Sequence, residues 1–226
     1  MKENPSFLRL RFVDLVIRIA LGLFFAFAAG VYFHNAIAPL YSISFDQLDL
    51  HTGAQVLSIF TNSLFTLMLA LLYALRLRAK STAGLWPSIA ALLGGFMLFG
   101  LLLLKPRTDL SLSTQIIACL LVMIGNGMAI YALVHLGRSF SILPESRRLV
   151  TSGPYQTVRH PLYVAEAIAS CGVVITFLSV SAVLLLVAQT IFQIVRIHYE
   201  EKILTGSFPE YADYAKKTWR LVPGIY

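Results

Sequence analysis

Between Glu166 and Arg196, residues 167–195 contain no Asp, Glu, Lys or Arg. At about 1.5 Å per residue, one unbroken helix over that stretch would be much longer than the roughly 30 Å hydrocarbon core of a bilayer. The segment must bend, and Ser179-Val180-Ser181 is the only small, partly polar interruption near its middle. Two antiparallel arms hinged there return the chain to the membrane face it left. Arg159-His160-Pro161-Leu162-Tyr163, at the entrance, then lies near Glu200-Glu201, at the exit.

A bilayer is the right solvent to assume. Of 226 residues, 58% are hydrophobic and only 13% charged, with a mean hydropathy of +0.75, a balance that excludes an ordinary soluble domain. Further apolar blocks at 12–38, 54–75, 85–104 and 112–136 are each long enough to cross as a helix. The expected fold is an all-α integral membrane protein of about six membrane segments: four N-terminal helices plus the C-terminal helical hairpin. Arg18 inside the first block, and the lack of a small-residue cleavage pattern, predict a retained anchor. Cys119 and Cys171 fall within apolar segments and read as packed thiols.

The net charge of +7 implies no nucleic-acid partner, because the basic residues flank membrane segments as the positive-inside rule expects. With alternating segments, Lys2/Arg9/Arg11, Arg76/Arg78/Lys80 and Arg138/Arg147/Arg148/Arg159 share one side, and Asp46 and Asp49 the other. Both termini are therefore expected in the cytoplasm, in a bacterial inner membrane or an endoplasmic-reticulum-type membrane. Lys105 and Arg107, beside Asp109, run against the pattern.

Residues 1–110 carry little chemistry and read as scaffold, with His34 and Asn35 as candidates for a substrate entrance. Residues 111–226 read as the functional part of one structural domain. Within it, 137–158 is a polar segment rich in turn formers (Gly137, Pro144, Gly153, Pro154), too long for a minimal connector. Beyond the hairpin, 198–205 reads as a helix stopped by Gly206. Ser207-Phe208-Pro209-Glu210 then has the spacing of a capping box for a last helix running to about Trp219.

Arg159-His160-Pro161 combines a cation, a titratable imidazole and a helix-starting proline, and a helix N-terminus favours an anionic group. Tyr163, one turn on, can point its hydroxyl back to the same place; an interfacial anchor of Arg and Tyr is the plainer alternative. Adjacent Glu200 and Glu201 repel each other and call for a cationic partner. Arg196, four residues before Glu200, forms either an ordinary salt bridge or one half of a pair holding oppositely charged groups of two ligands. Gly125-Asn126-Gly127 resembles a nucleotide loop but sits inside an apolar helix, which favours helix packing. Ser139, Ser141 and His135 do not make a triad by spacing, and no metal site is indicated.

Taken together, Leu136-Gly137-Arg138-Ser139-Phe140-Ser141, Leu149-Val150-Thr151-Ser152-Gly153-Pro154-Tyr155, Arg159-His160-Pro161-Leu162-Tyr163 and Glu200-Glu201, followed by Phe208, Tyr211, Tyr214 and Val222-Pro223, closely resemble the isoprenylcysteine carboxyl methyltransferase family. That family belongs to a wider group of membrane methyltransferases that includes phospholipid methyltransferases. The resemblance covers roughly residues 120–224. It implies S-adenosylmethionine as cofactor in a cytoplasmic pocket, enclosed by Leu149, Val150, Thr151, Gly153, Pro154, Tyr155, Arg159, His160 and Tyr163. Glu200 and Glu201 are implied to hold its cationic and hydroxyl groups. Arg196, Glu200 and Tyr163 become the catalytic set, with Arg196 orienting an acceptor carboxylate. The implied acceptor is lipid-linked, such as an isoprenylated cysteine. Glu166 is expected to face the pocket or pair with Arg159. Two other readings compete. Sterol-reductase-like NADPH enzymes resemble the chain at the His-Pro-x-Tyr motif but carry Arg-His-Pro-Asn-Tyr followed by Gly-Asp, where this chain has Leu162 and Ala165-Glu166. A non-catalytic membrane protein would mark a pathway with a row of intramembrane charge, and apart from Arg18 and Glu166 no such row exists.

Overall fold

The computed structural model describes residues 5–42 and 49–225, with side chains for 14–41 and 49–225. Lys2 and Asp46 lie outside the described residues, as do the side chains of Arg9 and Arg11. The helices are Pro5–Ser42 (α1), Leu50–Leu75 (α2), Leu85–Phe96 (α3, prolonged by a 3-10 turn over Met97–Leu103), Leu112–Leu136 (α4), Pro161–Ile175 (α5), Val180–Ser207 (α6) and Tyr211–Lys217 (α7). Two short strands, Ser81–Thr82 (β1) and Glu145–Ser146 (β2), pair antiparallel.

Among the described residues, five helices are long and apolar enough to cross a membrane: the apolar parts of α1, α2, α3 with its 3-10 turn, α4 and α6. The sixth apolar helix, α5, is shorter, about 22 Å at the usual rise. Six apolar helices thus form the bundle, α1 packing on α2, α2 on α4, α4 on α5, and α3 on α6. Asp49 and Ser111 cap α2 and α4, each accepting from the backbone three residues on. The α4–α5 contact is backbone-close, because a Cβ on Gly125 would lie 2.5 Å from Ala169 N. Next to it the buried Asn126 donates to Asn62 Oδ1 at 2.8 Å. Gly125-Asn126-Gly127 is therefore a helix-packing element.

The hairpin bends slightly earlier than the sequence indicated. α5 ends at Ile175, Leu178 takes φ +36°, and Ser179 caps α6 by accepting from Ala182 N at 3.2 Å. Val180 and Ser181 already belong to the second arm, because a serine hydroxyl is worth more to the backbone as a helix cap than within a turn. The two arms touch each other sparsely, and α5 leans instead on α4.

The polar end of the bundle is laced together by backbone bonds. The connector after α2 runs along the segment after α4, with Leu77 N donating to Arg138 O (2.7 Å), Lys80 N to Ser146 O (2.7 Å) and Ala83 N to Pro144 O (3.1 Å). The C-terminal segment closes the other side: Arg159 N donates to Trp219 O (2.8 Å), Trp219 N to Thr157 O (2.9 Å) and His160 N to Arg220 O (3.2 Å). Arg76, Arg138, Arg147 and Arg159 gather at this end, while Arg107 lies at the other, bonded through its backbone to Thr176 O and through its side chain to Asp109.

Two local expectations are corrected. Ser207 and Glu210 do not form a capping box: the Ser207 hydroxyl donates to Ser146 Oγ at 2.8 Å, and α7 begins without a side-chain cap. The N-terminal half is more than scaffold, since buried Tyr73 accepts a bond from Ile142 N at 3.1 Å and supports the segment after α4 from below.

Candidate active site

The segment between α4 and α5, the start of α5 and the end of α6 enclose an open cavity at the polar end. Pro161 occupies the first helical position of α5, so His160 stands just outside the helix with its ring turned inward, only 5% exposed. Its Nε2 is 3.3 Å from Glu201 Oε1 and its Nδ1 4.0 Å from Glu200 Oε2, which places the imidazole between the two carboxylates. From the first turn of α5 the Tyr163 hydroxyl donates to Glu200 Oε1 at 2.5 Å. Arg196 Nε donates to the same oxygen at 3.0 Å, and its Nη2 to Ser141 O at 3.1 Å. The Arg196 guanidinium also lies 4.8 Å from the Tyr163 ring centroid, within cation–π reach.

Adjacent on the chain, the two glutamates face different surroundings. Glu200 lines the cavity and takes both its close donors, Tyr163 and Arg196, on one oxygen. Glu201 does not line it. Instead it accepts from Arg159 Nε at 2.9 Å, faces His160, and pairs with Arg220 Nη2 at 2.7 Å. Arg159 in turn donates from Nη1 to Ala215 O (2.7 Å) and to Thr218 O. Arg159 and Glu201 form a clamp that holds the C-terminal segment against the hairpin.

Of the residues expected to enclose a cofactor, Leu149, Val150, Tyr155, Arg159, His160, Tyr163 and Glu200 line the cavity, together with Arg196. Thr151, Gly153 and Pro154 stand behind it. Gly153 shapes this turn, having φ +61° and lying so close to His135 that a Cβ would come within 2.1 Å of Cδ2. Glu166 does not meet Arg159; it accepts from Gln193 Nε2 at 2.9 Å, because Arg159 is already held by Glu201 and the chain end. His34 and Asn35 are exposed on α1 and do not line the cavity.

Three cavity hydroxyls stand out: Tyr155 was among the residues implied to enclose a cofactor, whereas Ser139 and Tyr211 were not. Ser139 Oγ, Tyr155 Oη and Tyr211 Oη are buried without a hydrogen-bond partner among the described residues. Burial pushes the Tyr155 and Tyr211 phenols up, and that of Tyr214 up to about 12, so all three stay protonated near neutrality. Tyr214 is satisfied by donating to Tyr155 O at 2.7 Å. Buried polar atoms without partners are uncommon in native proteins and ask for a ligand or water. For Tyr211 the local sequence signal was the run of aromatic residues after Gly206, which equally describes an interfacial helix.

Residues 113–210 match the model of the phospholipid methyltransferase family. This part of the chain is similar to that family. The matched span holds all but the first residue of α4, the whole cavity segment, α5 and α6, the elements that supply most of the site. Among characterised proteins, the chain is 34% identical over 112 residues to Protein-S-isoprenylcysteine O-methyltransferase B of Arabidopsis thaliana, covering 46% of this chain and 57% of that protein. It is 35% identical over 148 residues to the Cobalt-zinc-cadmium resistance protein CzcN of Cupriavidus metallidurans, covering 63% of each. The Nickel-cobalt-cadmium resistance protein NccN of Alcaligenes xylosoxydans xylosoxydans is 36% identical over 83 residues, 36% of this chain and 38% of that protein. The chain thus spans less than two thirds of the length of each of these relatives.

Proposed function

We propose that the protein is an integral membrane methyltransferase that uses S-adenosylmethionine to methylate a lipid-linked acceptor, most directly a carboxylate such as that of an isoprenylated cysteine. The observation that carries this reading is the make-up of the cavity: a carboxylate, Glu200, with one oxygen left without a close donor, beside orphaned hydroxyls of Ser139, Tyr155 and Tyr211. That donor set suits a ligand with a cationic centre and several heteroatoms, as S-adenosylmethionine is. Leu149, Val150 and Leu162 supply apolar wall for its flat base.

When bound, the cofactor supplies an electrophilic methyl group on a positively charged sulfur. The chain's part is then alignment and exclusion of water. Glu200 balances the positive charge, and the Tyr163 and Arg196 bonds to its other oxygen hold that carboxylate in place. Arg196 orients the acceptor carboxylate, which needs no general base because it is already a nucleophile. Leu143, Leu149, Val150 and Leu162 in the wall would help to exclude water from the transfer.

The acceptor's chain has a route from the bilayer. An apolar groove runs between α5 and α6 and reaches Leu221 and Val222, and Tyr163 lines both it and the cavity. The sparse contact between the hairpin arms leaves this groove open. By the positive-inside rule the polar end faces the cytoplasm, with both termini on that side.

Calorimetric titration of the detergent-solubilised protein with S-adenosylmethionine and NADPH tests the cofactor. Binding of S-adenosylmethionine alone is expected; binding of NADPH alone would overturn the reading in favour of a reductase, and binding of neither in favour of a non-catalytic protein. A mass-spectrometric search for lipids or peptides that gain a methyl group then identifies the acceptor.

A further inference from the structure

Beneath the wall that carries Ser141 and Glu145 lies a cluster of charge that the methyl-transfer reading leaves unused. Arg76 follows α2, Arg147 follows β2, and the side chains of both have 0% exposure. Asp14 Oδ1 lies between them, 2.7 Å from Arg76 Nη2 and 3.7 Å from Arg147 Nη2. Arg147 Nη2 also meets Glu145 Oε2 at 2.6 Å. Arg18 adds a third guanidinium by donating to Arg76 O at 2.8 Å. Among the described residues, the two buried guanidinium groups thus meet two carboxylates, with the half-buried Arg18 as a third cation nearby.

The two buried guanidinium groups are short of acceptors. A guanidinium has five N–H donors. Arg76 and Arg147 each engage only Nη2 with the carboxylates, and Nε and Nη1 of both have no partner among the described residues. Arg76 lies beneath, 4.8 Å from the Tyr73 ring centroid, whereas Arg147 lines the cavity, with exposed Arg148 beside it at the rim. Burial and the proximity of Arg147 both push the Arg76 guanidinium below its ordinary value, the expected result of crowding two buried cations. Buried guanidinium N–H groups left without acceptors are costly, and their geometry suits carboxylate and phosphate oxygens better than any neutral group.

We propose that Arg147, backed by Arg76, is an oxyanion subsite in the cavity wall that receives the carboxylate or phosphate of a bound ligand. Glu145 and Asp14 each hold one guanidinium group through Nη2 and leave Nε and Nη1 of Arg147 to donate to the ligand. The anion has two sources: the amino-acid carboxylate of the methyl donor, which rests on the cofactor assignment above, or the phosphate of a lipid acceptor, which does not.

Equilibrium binding to the full-length protein in detergent separates the sources. The first arm compares S-adenosylmethionine with its decarboxylated analogue, which differs by the carboxylate alone. The wild type is expected to prefer the carboxylated form by about tenfold or more, the scale of one charge-assisted hydrogen bond. Arg147→Gln should erase that preference while still binding the decarboxylated analogue, which also verifies the fold. Arg147→Lys should restore part of it, and decides the matter if Arg147→Gln does not fold. The second arm compares phosphatidic acid with diacylglycerol in the same micelles, and loss of the phosphate preference in the variant assigns the subsite to the acceptor. If both preferences survive Arg147→Gln unchanged, the subsite does not exist. If the wild type binds neither nucleoside, the cofactor assignment fails and the lipid arm alone decides the subsite.

Discussion

The two flanks of the end of α6 carry the same residue and are built for opposite purposes. On the cavity flank Glu200 spends one oxygen on Tyr163 and Arg196 and leaves the other without a close donor. On the clamp flank Glu201 is saturated by Arg159, His160 and Arg220, which tie the hairpin entrance to the C-terminal segment. Consecutive helical residues point about 100° apart, so one helix can present a ligand group and a structural group without a break. A carboxylate already satisfied by three donors has little left to offer a ligand.

The contrast is most directly broken at the clamp. Glu201→Gln leaves the guanidinium groups of Arg159 and Arg220 facing a neutral amide, and unfolding stability is expected to fall by about 3 kcal/mol, the scale of a broken, mostly buried ion pair. Thermal unfolding in detergent measures it, and an unchanged midpoint together with lost ligand binding would reverse the two assignments. Glu200→Gln should do the opposite: S-adenosylmethionine affinity drops by a factor of about 10–100 through loss of a charged partner, while the unfolding midpoint moves little. A smaller effect is expected for Tyr214→Phe, which removes the bond to Tyr155 O and should lower stability by about 1 kcal/mol. Its cofactor affinity should stay close to that of the wild type, because Tyr155 keeps its place through burial.

The smallest effect is a pH dependence. The Tyr214 phenol is raised above its ordinary value near 10, to about 12, by burial, and those of Tyr155 and Tyr211 are raised in the same direction. A folded-state value above the unfolded one means the contribution is complete below about pH 10 and is lost as pH climbs through the folded value. Unfolding followed from neutral pH to about pH 12 should show a decline confined to the alkaline end. A decline that begins below pH 9 would point to other groups.

Much of the bundle was legible in the chain. Four apolar blocks and a charge-free stretch too long for one crossing anticipate the six apolar helices, with boundaries at 75, 85, 112 and 136 matching the observed ends. Patterns that depend on a partner were harder to read. Ser207 and Glu210 have the spacing of a capping box, yet Ser146 from β2 takes the serine hydroxyl. Glu166 was expected to face the pocket or pair with Arg159, but Gln193 is the group that α6 places beside it. Tyr73 and Arg76 looked like scaffold because nothing local to α2 announces that the segment after α4 will settle on them.

Hydropathy and charge alone determined that this chain lies in a bilayer, that its C-terminal apolar stretch doubles back, and that Arg159-His160-Pro161 and Glu200-Glu201 meet at one end. These follow from the thickness of the hydrocarbon core and the cost of burying charge, which act on every residue regardless of its neighbours. Which glutamate faces the cavity, which arginines hold the wall, and which hydroxyls are left without partners were decided by the tertiary structure. Hydrogen bonds and ion pairs are short and directional, and they depend on contacts such as that of Arg76 with Asp14, 62 residues apart in the chain.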